Sequence, residues 1–282
     1  MNKTLQIGKI NTLEVSRFTD NGAYLRAKDG DEVLLPNAYV DSDTMGIGEL
    51  IDVFLYTDSE DRVVATTQKP KAMLGEFGYF RVVSYKQYGA FVDWGLPKDL
   101  FVPLKEQKEY FHVDDLFILR VCIDEQTGRL YGTQKIGKWL LNNTNGLFVG
   151  QEVNMLVIAK TPLGFKVVVN NLFEGMLFKS EIFELLKIGD VRKGTIKNIR
   201  KDFKLDCLLE SAKLSTQDSS QKILNELNIN NGTMPFTYKS DAKDIYEAFG
   251  MSKKNFKKAL TELIDEDKII LEESKIQSNN YN

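Results

Sequence analysis

The sequence predicts a mainly β protein with a small α+β end, built from three five-stranded barrels in tandem and a C-terminal helical module. Two observations predict it: a layout of short strands occurs three times, and the apolar pattern changes to helical spacing after Ser211. A length of 282 residues suits four modules of roughly 60–75 residues each. A composition of 43% hydrophobic and 27% charged residues is typical of globular domains.

Each copy of the repeat contains a glycine that opens a strand of alternating polarity. These glycines are Gly22, Gly89 and Gly164. The following strand ends 14 positions later in every copy, and those ends are Pro36, Pro103 and Phe178. Glycine suits this position because a tightly coiled strand leaves no room for a Cβ atom. One large β-sandwich is the alternative, but it gives no reason for a constant offset.

Two further strands complete each copy. A polar turn precedes the fourth strand, and the short fifth strands are predicted at residues 63–67, 130–133 and 205–209. Five short strands at this spacing, with no long helix between them, are typical of a small Greek-key barrel. We therefore predict barrels at residues 1–69, 70–137 and 147–212.

The strand opened by the second glycine carries a recognisable motif. Tyr88-Gly89-Ala90-Phe91-Val92-Asp93 resembles the FGAFVD signature of S1-type RNA-binding domains, which are OB-fold barrels. Residues 21–26 are a looser copy and the third repeat is looser still. No copy has the EGLVHISEL continuation of that family, and residues 99–104 stand in its place in the second. The resemblance implies three tandem OB-fold (S1-like) five-stranded barrels, without guaranteeing the RNA contacts of that family.

Helix signals mark the C-terminal module. Apolar residues at helical spacing predict a first helix, and Asp241 is predicted to cap a second helix that ends at Gly250. Ser252 is predicted to cap a third helix, after which residues 268–271 predict a strand. Three helices and a β-ribbon over residues 217–275 are the layout of a winged-helix domain.

The order of the modules and the segment at residues 250–260 are similar to the conserved virulence factor B family. Those bacterial proteins combine three S1-like domains with a C-terminal winged helix and are described as RNA-binding regulators. The resemblance implies a role in gene regulation, with post-transcriptional control as its form.

Strand alternation indicates which side chains face outward on the barrels. The residues flanking Phe91 are apolar and point inward, so Phe91 faces out, with Tyr88 just before the glycine. Tyr24 takes the position of Phe91 in the first barrel, and Lys166 takes it in the third. Exposed aromatic rings on such barrels stack on the bases of single strands, at about 1–3 kcal/mol per base.

Basic residues are predicted to hold the phosphates. The chain has a net charge of −3, yet Lys and Arg outnumber Asp and Glu in residues 138–213. We therefore predict stacking in the second barrel and phosphate attraction in the third, with further contacts from the third helix of the winged helix. The alternatives are that the aromatics pack against a neighbouring module and that the lysines form a solvated surface. The predicted RNA-binding residues are Tyr24, Arg26, Arg81, Lys86, Tyr88, Phe91, Lys166, Lys197, Arg200, Lys201, Lys253, Lys254, Lys257 and Lys258.

No catalytic residue, cofactor or metal site is predicted, and the chain is expected not to be an enzyme. His112 is the one histidine, and no Cys or Asp cluster stands near it at ligand spacing. Residues 132–138 match GxxxxGK, but Trp139 stands where a P-loop needs Ser or Thr for Mg²⁺.

Single-stranded RNA is the expected partner, in the cytoplasm. No apolar stretch approaches 18 residues, so no membrane span is expected. Cys122 and Cys207 lie in separate apolar runs and are predicted to be buried free thiols of a reducing compartment. The alternative function is a protein-interaction scaffold that docks on a ribosomal or RNA polymerase complex. A third hypothesis is DNA binding through the winged helix.

Overall fold

A computed structural model describes residues 5–41, 43, 45–182, 184–210 and 216–279. The chain divides into two compact units, Met1–Leu140 and Leu141–Asn282. The first unit contains two barrels, and the second contains a third barrel and the winged helix. The predicted fold class is therefore confirmed. The ends of the predicted modules at residues 1 and 212 lie outside the described residues.

The first barrel is closed. Its β3 pairs in parallel with β5 and thereby joins the two halves of the sheet, in the order β1-β2-β3-β5-β4. Inward-facing aliphatic residues fill it, as the alternation of buried and exposed positions along β1 and β3 requires. The strands are β1 (Ile10–Thr19), β2 (Gly22–Arg26), β3 (Glu32–Pro36), β4 (Leu50–Thr57) and β5 (Val63–Thr66).

The second barrel has the same strand order but is open on one side. Its strands are β6 (Phe77–Lys86), β7 (Gly89–Asp93), β8 (Leu100–Pro103), β9 (Leu116–Ile123) and β10 (Leu130–Thr133). The sheet runs β10-β9-β6-β7-β8. Strands β8 and β10, both fully described, adjoin each other without a hydrogen-bonded ladder. The parallel pair that closes the first barrel is thus missing here, and a seam remains between these two strands.

The third barrel is closed like the first. Strand β13 pairs in parallel with β15 in the order β11-β12-β13-β15-β14. Cys207 is a free thiol buried in its core, and Cys122 of the second barrel is also a buried free thiol. The strands are β11 (Glu152–Thr161), β12 (Gly164–Val169), β13 (Phe173–Phe178), β14 (Val191–Ile199) and β15 (Leu205–Leu209).

The constant offset of 14 residues reflects the register of the hairpin that the second and third strands of each barrel form. In each barrel the repeated glycine pairs with the last residue of the third strand, as Gly22 does with Pro36 and Gly89 with Pro103. Gly89 has φ +153°, and a Cβ there would lie 2.2 Å from the carbonyl oxygen of Val102. Only glycine fits so close to the neighbouring backbone, which explains the residue at each start of the repeat.

The two barrels of the first unit pack on each other through Trp94. Its ring meets Phe54 of β4 edge-on, with the ring centroids 5.8 Å apart, and only 2% of Trp94 is exposed. The indole Nε1 donates to the carbonyl of Lys98 at 2.6 Å, and Lys98 Nζ donates to the carbonyl of Asp58 in the first barrel at 2.6 Å. The aromatic side chain of Trp94 therefore packs against a neighbouring module instead of facing solvent.

The winged helix has the predicted caps. Its elements are α1 (Thr216–Ile229), β16 (Thr233–Met234), α2 (Ala242–Phe249), α3 (Lys253–Asp265), β17 (Ile269–Leu271) and β18 (Ile276–Ser278). Asp241 accepts from the backbone N–H of Lys243 at 2.8 Å, and Ser252 from that of Asn255 at 3.0 Å. Gly250 ends α2 in the left-handed conformation, with φ 61°. These predicted starts and stops are confirmed because capping depends on neighbours in sequence.

Candidate nucleic-acid interface

An aromatic pair lies on the outer face of the second barrel. Register places Phe91 of β7 opposite Phe101 of β8, and the ring centroids are 5.2 Å apart. Tyr88, in the turn between β6 and β7, is 72% exposed. Lys86 holds its Nζ 5.5 Å from the centroid of Phe91. Both predicted stacking residues of this barrel thus face outward, beside a predicted cation.

A pocket of about 510 Å³ extends from this aromatic pair along the seam between β8 and β10. We call it the seam pocket. The first barrel contributes a second wall from the end of β4 and from Asp61 in the turn that follows. Because β8 and β10 are not joined by a ladder, ring side chains line a recess at the seam. The residues that dominate its wall are Tyr56, Lys86, Phe91, Phe101, Arg129 and Tyr131.

Cations surround the seam pocket. Lys98 lies 3.9 Å from a carboxylate oxygen of Asp61, which also forms an ion pair with Arg129. Burial lowers the pKa of the Lys98 ammonium, although Asp61 opposes this effect. Lys86 and Lys105 are exposed and form no ion pair with the part of the chain that the structure describes. These two lysines therefore add positive charge to the lining of the pocket without forming a direct ion pair among the described residues.

The matching position of the first barrel is already occupied. The guanidinium of Arg17 lies 4.0 Å from the centroid of the Tyr24 ring. Glu32 forms ion pairs with Arg17 and with Arg26, the latter at 3.1 Å. The predicted pair Tyr24 and Arg26 thus lies on the outer face, but one face of the ring is covered and the arginine is paired.

The same contacts make the stability of the first barrel sensitive to pH. The hydrogen bond from Arg17, with one from Ser16, lowers the pKa of Glu32 from 4.5 to about 2. Glu32 therefore stays charged at lower pH in the folded chain than in the unfolded chain. The stability that this charge contributes is complete above about pH 4.5 and is lost as the pH falls towards 2.

We therefore expect the melting temperatures of wild type and Glu32→Gln to differ most above pH 4.5 and to converge near pH 2. Thermal unfolding followed by circular dichroism across this range measures the difference. A constant difference between the two proteins at every pH would contradict the assignment, because it would mean that the charge of Glu32 has no part in it.

The predicted cations of the third barrel are largely compensated. Lys197 forms an ion pair with Glu181, and Arg200 donates to Asp206 at 2.6 Å. Lys166 lies 3.7 Å from Glu174. Lys201 is exposed and has no ion pair within the described residues. The basic excess seen in the sequence is thus reduced locally by carboxylates, and its role in phosphate attraction stays a prediction.

Lysines at the start of α3 face solvent. Lys254, Lys257 and Lys258 are exposed, and the described residues offer them no ion pair. Lys253 is partly buried and donates to the carbonyl of Lys239 at 3.3 Å. The opposite face of the helix is apolar and buried in the core of the winged helix. Helix α3 therefore has the predicted basic flank beside an apolar stripe. The phosphate contacts of these lysines stay a prediction.

Sequence reasoning missed several residues of the seam pocket. Phe101 could have been found, because a hairpin that pairs Gly89 with Pro103 necessarily pairs Phe91 with Phe101. Tyr131 and Arg129 had no such signal, since they come from β10 and the turn before it. Arg81, also predicted, is exposed and lies 3.9 Å from Asp114, outside the seam pocket.

Two further features bear on function. Within the described ranges, no group of three or more His, Cys, Asp and Glu side chains could hold a metal ion. Among the same residues, no helix has both the length and the apolar character needed to cross a membrane.

Comparisons with known proteins match both ends of the chain to family models. The model described as "S1 domain" matches residues 7–68, and the model described as "CvfB-like winged helix domain" matches residues 221–277. Neither description is that of a catalytic family.

Curated relatives match over nearly the whole chain. "Uncharacterized protein YitL" of Bacillus subtilis (strain 168) is 28% identical over 280 residues, covering 95% of this chain and 92% of that protein. "Conserved virulence factor B" of Staphylococcus saprophyticus is 27% identical over 283 residues, covering 96% and 93%. Among solved structures, a multidomain protein with nucleic acid binding domains from Streptococcus pneumoniae is 24% identical, covering 96% of this chain and 98% of that one, with a TM-score of 0.42.

Proposed function

Since the chain belongs to the conserved virulence factor B family, we propose that it is an RNA-binding regulatory protein that grips single-stranded RNA by aromatic stacking and phosphate contacts. The observation that carries the proposal is the seam pocket, where the exposed ring of Tyr88 stands beside Phe91 and the cation of Lys86. Its regulatory role would be post-transcriptional, since RNA is the ligand.

Stacking supplies the affinity in this proposal. OB-fold barrels hold unpaired bases against exposed rings, and each stacked base contributes about 1–3 kcal/mol. Tyr88 offers an open ring, whereas Tyr24 of the first barrel is covered by Arg17. We therefore assign the main stacking site to the second barrel.

Phosphate attraction comes from lysines without a carboxylate partner in the described part of the chain. Lys86 and Lys105 lie at the seam pocket, and Lys201 extends the set on the third barrel. On the winged helix, Lys254, Lys257 and Lys258 would add contacts to the backbone of the same RNA. A cytoplasmic location fits the two buried free thiols, because a reducing compartment keeps cysteines unpaired.

The second candidate is a protein-interaction scaffold that docks on a ribosomal or RNA polymerase complex. A repeated feature favours it: the first residue of the fourth strand is an exposed aliphatic side chain in every barrel. These residues are Leu50, Leu116 and Val191, which are 69%, 49% and 64% exposed. Repeated apolar side chains on a surface are typical of protein contacts. They lie outside the seam pocket and its aromatic rings, so we rank this function second.

Fluorescence polarisation with labelled single-stranded RNA and duplex DNA, each at two salt concentrations, tests the proposal. We expect RNA to bind more tightly than duplex DNA, and its affinity to fall as salt rises because counterions are released. Preferential binding of duplex DNA would instead favour the winged helix as the element that binds nucleic acid. Absence of binding to either would favour the scaffold.

The salt dependence also separates free cations from paired ones. We expect Lys86→Gln with Lys105→Gln to reduce the slope of log affinity against log salt by about 0.7 for each phosphate that the lysines no longer neutralise. Lys197→Gln with Arg200→Gln removes the same charge from the third barrel and should change the slope less, because Glu181 and Asp206 already compensate those cations. The reverse order of effects would contradict the assignment of phosphate contacts to the seam pocket.

A further inference from the structure

One carboxylate of the seam pocket has no partner. Three aspartates line the pocket, and two of them are satisfied: Asp61 pairs with Arg129, and Asp124 accepts from the backbone N–H of Thr127 at 2.8 Å. Asp99, just before β8, forms no hydrogen bond or ion pair with any described residue. It is partly buried, and its carboxylate oxygens stay open to the pocket.

The environment of Asp99 favours the neutral form of its carboxyl group. Burial, together with the charge of Asp93, raises the pKa of Asp99. A carboxylate that is partly removed from water and has no protein donor loses some of its stabilisation, and most buried polar groups in proteins have a partner. Because the described part of the chain supplies no donor, a ligand that displaces water from the pocket finds these oxygens free to accept hydrogen bonds.

The chemistry of that ligand follows from the two oxygens of the carboxylate. An ionised aspartate only accepts hydrogen bonds, and it is best matched by two adjacent N–H donors in one plane. Guanine presents such a pair, N1–H and the 2-amino group, on its Watson–Crick edge. Adenine and cytosine each present one amine beside an acceptor nitrogen, and uracil presents one N–H between two carbonyls. The unpaired oxygens therefore discriminate among the four bases.

Resting on the proposed RNA-binding function, we propose that the seam pocket takes one unstacked base of the RNA and selects guanine through Asp99. The ring of the base lies among the aromatic residues near Phe91 and Phe101, which form one wall of the pocket. Its Watson–Crick edge donates two hydrogen bonds to Asp99. Lys86 and Lys105, which are exposed and line the pocket, meet the neighbouring phosphates. Single-strand readers use the same combination of stacking and edge recognition.

Binding of four oligouridines that differ only in one central base tests this assignment. With the wild-type full chain, we expect the oligomer with a central guanine to bind about tenfold more tightly than those with adenine, cytosine or uracil. Inosine at the same place keeps N1–H and lacks the 2-amino group, so its affinity should lie between those of guanine and adenine. Equal affinity for all five oligomers would overturn the guanine assignment while leaving RNA binding intact. No binding to any of them would overturn the proposed function as well.

The variant Asp99→Asn is expected to lose the preference, because its amide places a donor against one of the two donors of guanine. Asp124→Asn is the matched control, since it removes a charge from the same pocket and should keep the preference. A uniform rise in affinity for all oligomers with Asp99→Asn, equal to that with Asp124→Asn, would overturn the proposal, because Asp99 would then only repel phosphate. Thermal melting checks the fold, and Asp99→Asn should melt no lower than wild type because Asp99 has no partner among the described residues.

Discussion

Replacing Tyr88 and Phe91 together by alanine should weaken binding of single-stranded RNA by about tenfold or more, with little change in its salt dependence. Each ring is expected to hold a base by stacking, which contributes about 1–3 kcal/mol per base. Neither residue carries charge, so the number of released counterions should stay the same. Fluorescence polarisation at two salt concentrations gives both quantities from one set of titrations.

Tyr110→Ala is the matched control. Tyr110 is 60% exposed on the same barrel but lies outside the seam pocket, where its ring contacts Tyr85. Its replacement should leave RNA affinity within about twofold of wild type. Because Phe91 also packs on Phe101, thermal melting must show that the double variant is folded at the assay temperature. An equal loss of affinity in Tyr110→Ala and in the double variant would argue against a stacking site at the seam pocket.

Gly89→Ala should destabilise the second barrel by about 3–5 kcal/mol, which is among the larger effects of single substitutions. The added Cβ would lie 2.2 Å from the carbonyl oxygen of Val102, and the backbone of Gly89 has φ +153°, which L residues rarely adopt. Neither conflict can be relieved without moving β7 away from β8. Urea unfolding followed by tryptophan fluorescence measures the effect, since Trp94 is buried beside this hairpin.

Gly137→Ala provides the comparison for that experiment. A Cβ at Gly137 would meet nothing within 4 Å. Its effect on the free energy of unfolding should be within about 0.5 kcal/mol of zero. If both alanine variants unfolded at the same urea concentration as wild type, the repeated glycine would not be required by close approach of the strands, and the explanation of the repeat would be wrong.

The sequence was informative wherever the deciding interactions are local or repeated. The constant offset from each glycine fixed the register of three hairpins, because backbone crowding at Gly22, Gly89 and Gly164 leaves no other residue acceptable. Strand alternation then predicted correctly that Phe91 faces outward. The caps at Asp241 and Ser252 were predicted for the same reason, since each side chain bonds a backbone N–H two or three residues away.

The candidate site could be predicted only in part. Phe91 came from the strand pattern, Tyr88 from its place before the repeated glycine and Lys86 from its positive charge, and Phe101 was implied by the pattern. The wall formed by Tyr56, Arg129 and Tyr131 was not, because it depends on how β10 and the first barrel meet the seam. The charges of the third barrel were counted correctly, but their ion pairs with Glu181 and Asp206 join side chains that only the folded barrel brings together.

The sequence by itself thus determined the number of barrels, the register of their hairpins and the outward direction of Phe91, since these follow from backbone sterics and the two-residue period of a strand. Tertiary structure alone decided which barrel stays open, which aromatic is buried between barrels and which cations are neutralised. The physical reason is that those outcomes depend on contacts between residues far apart in the sequence. Packing and Coulomb interactions between such residues act only after folding has brought them within a few ångströms of each other.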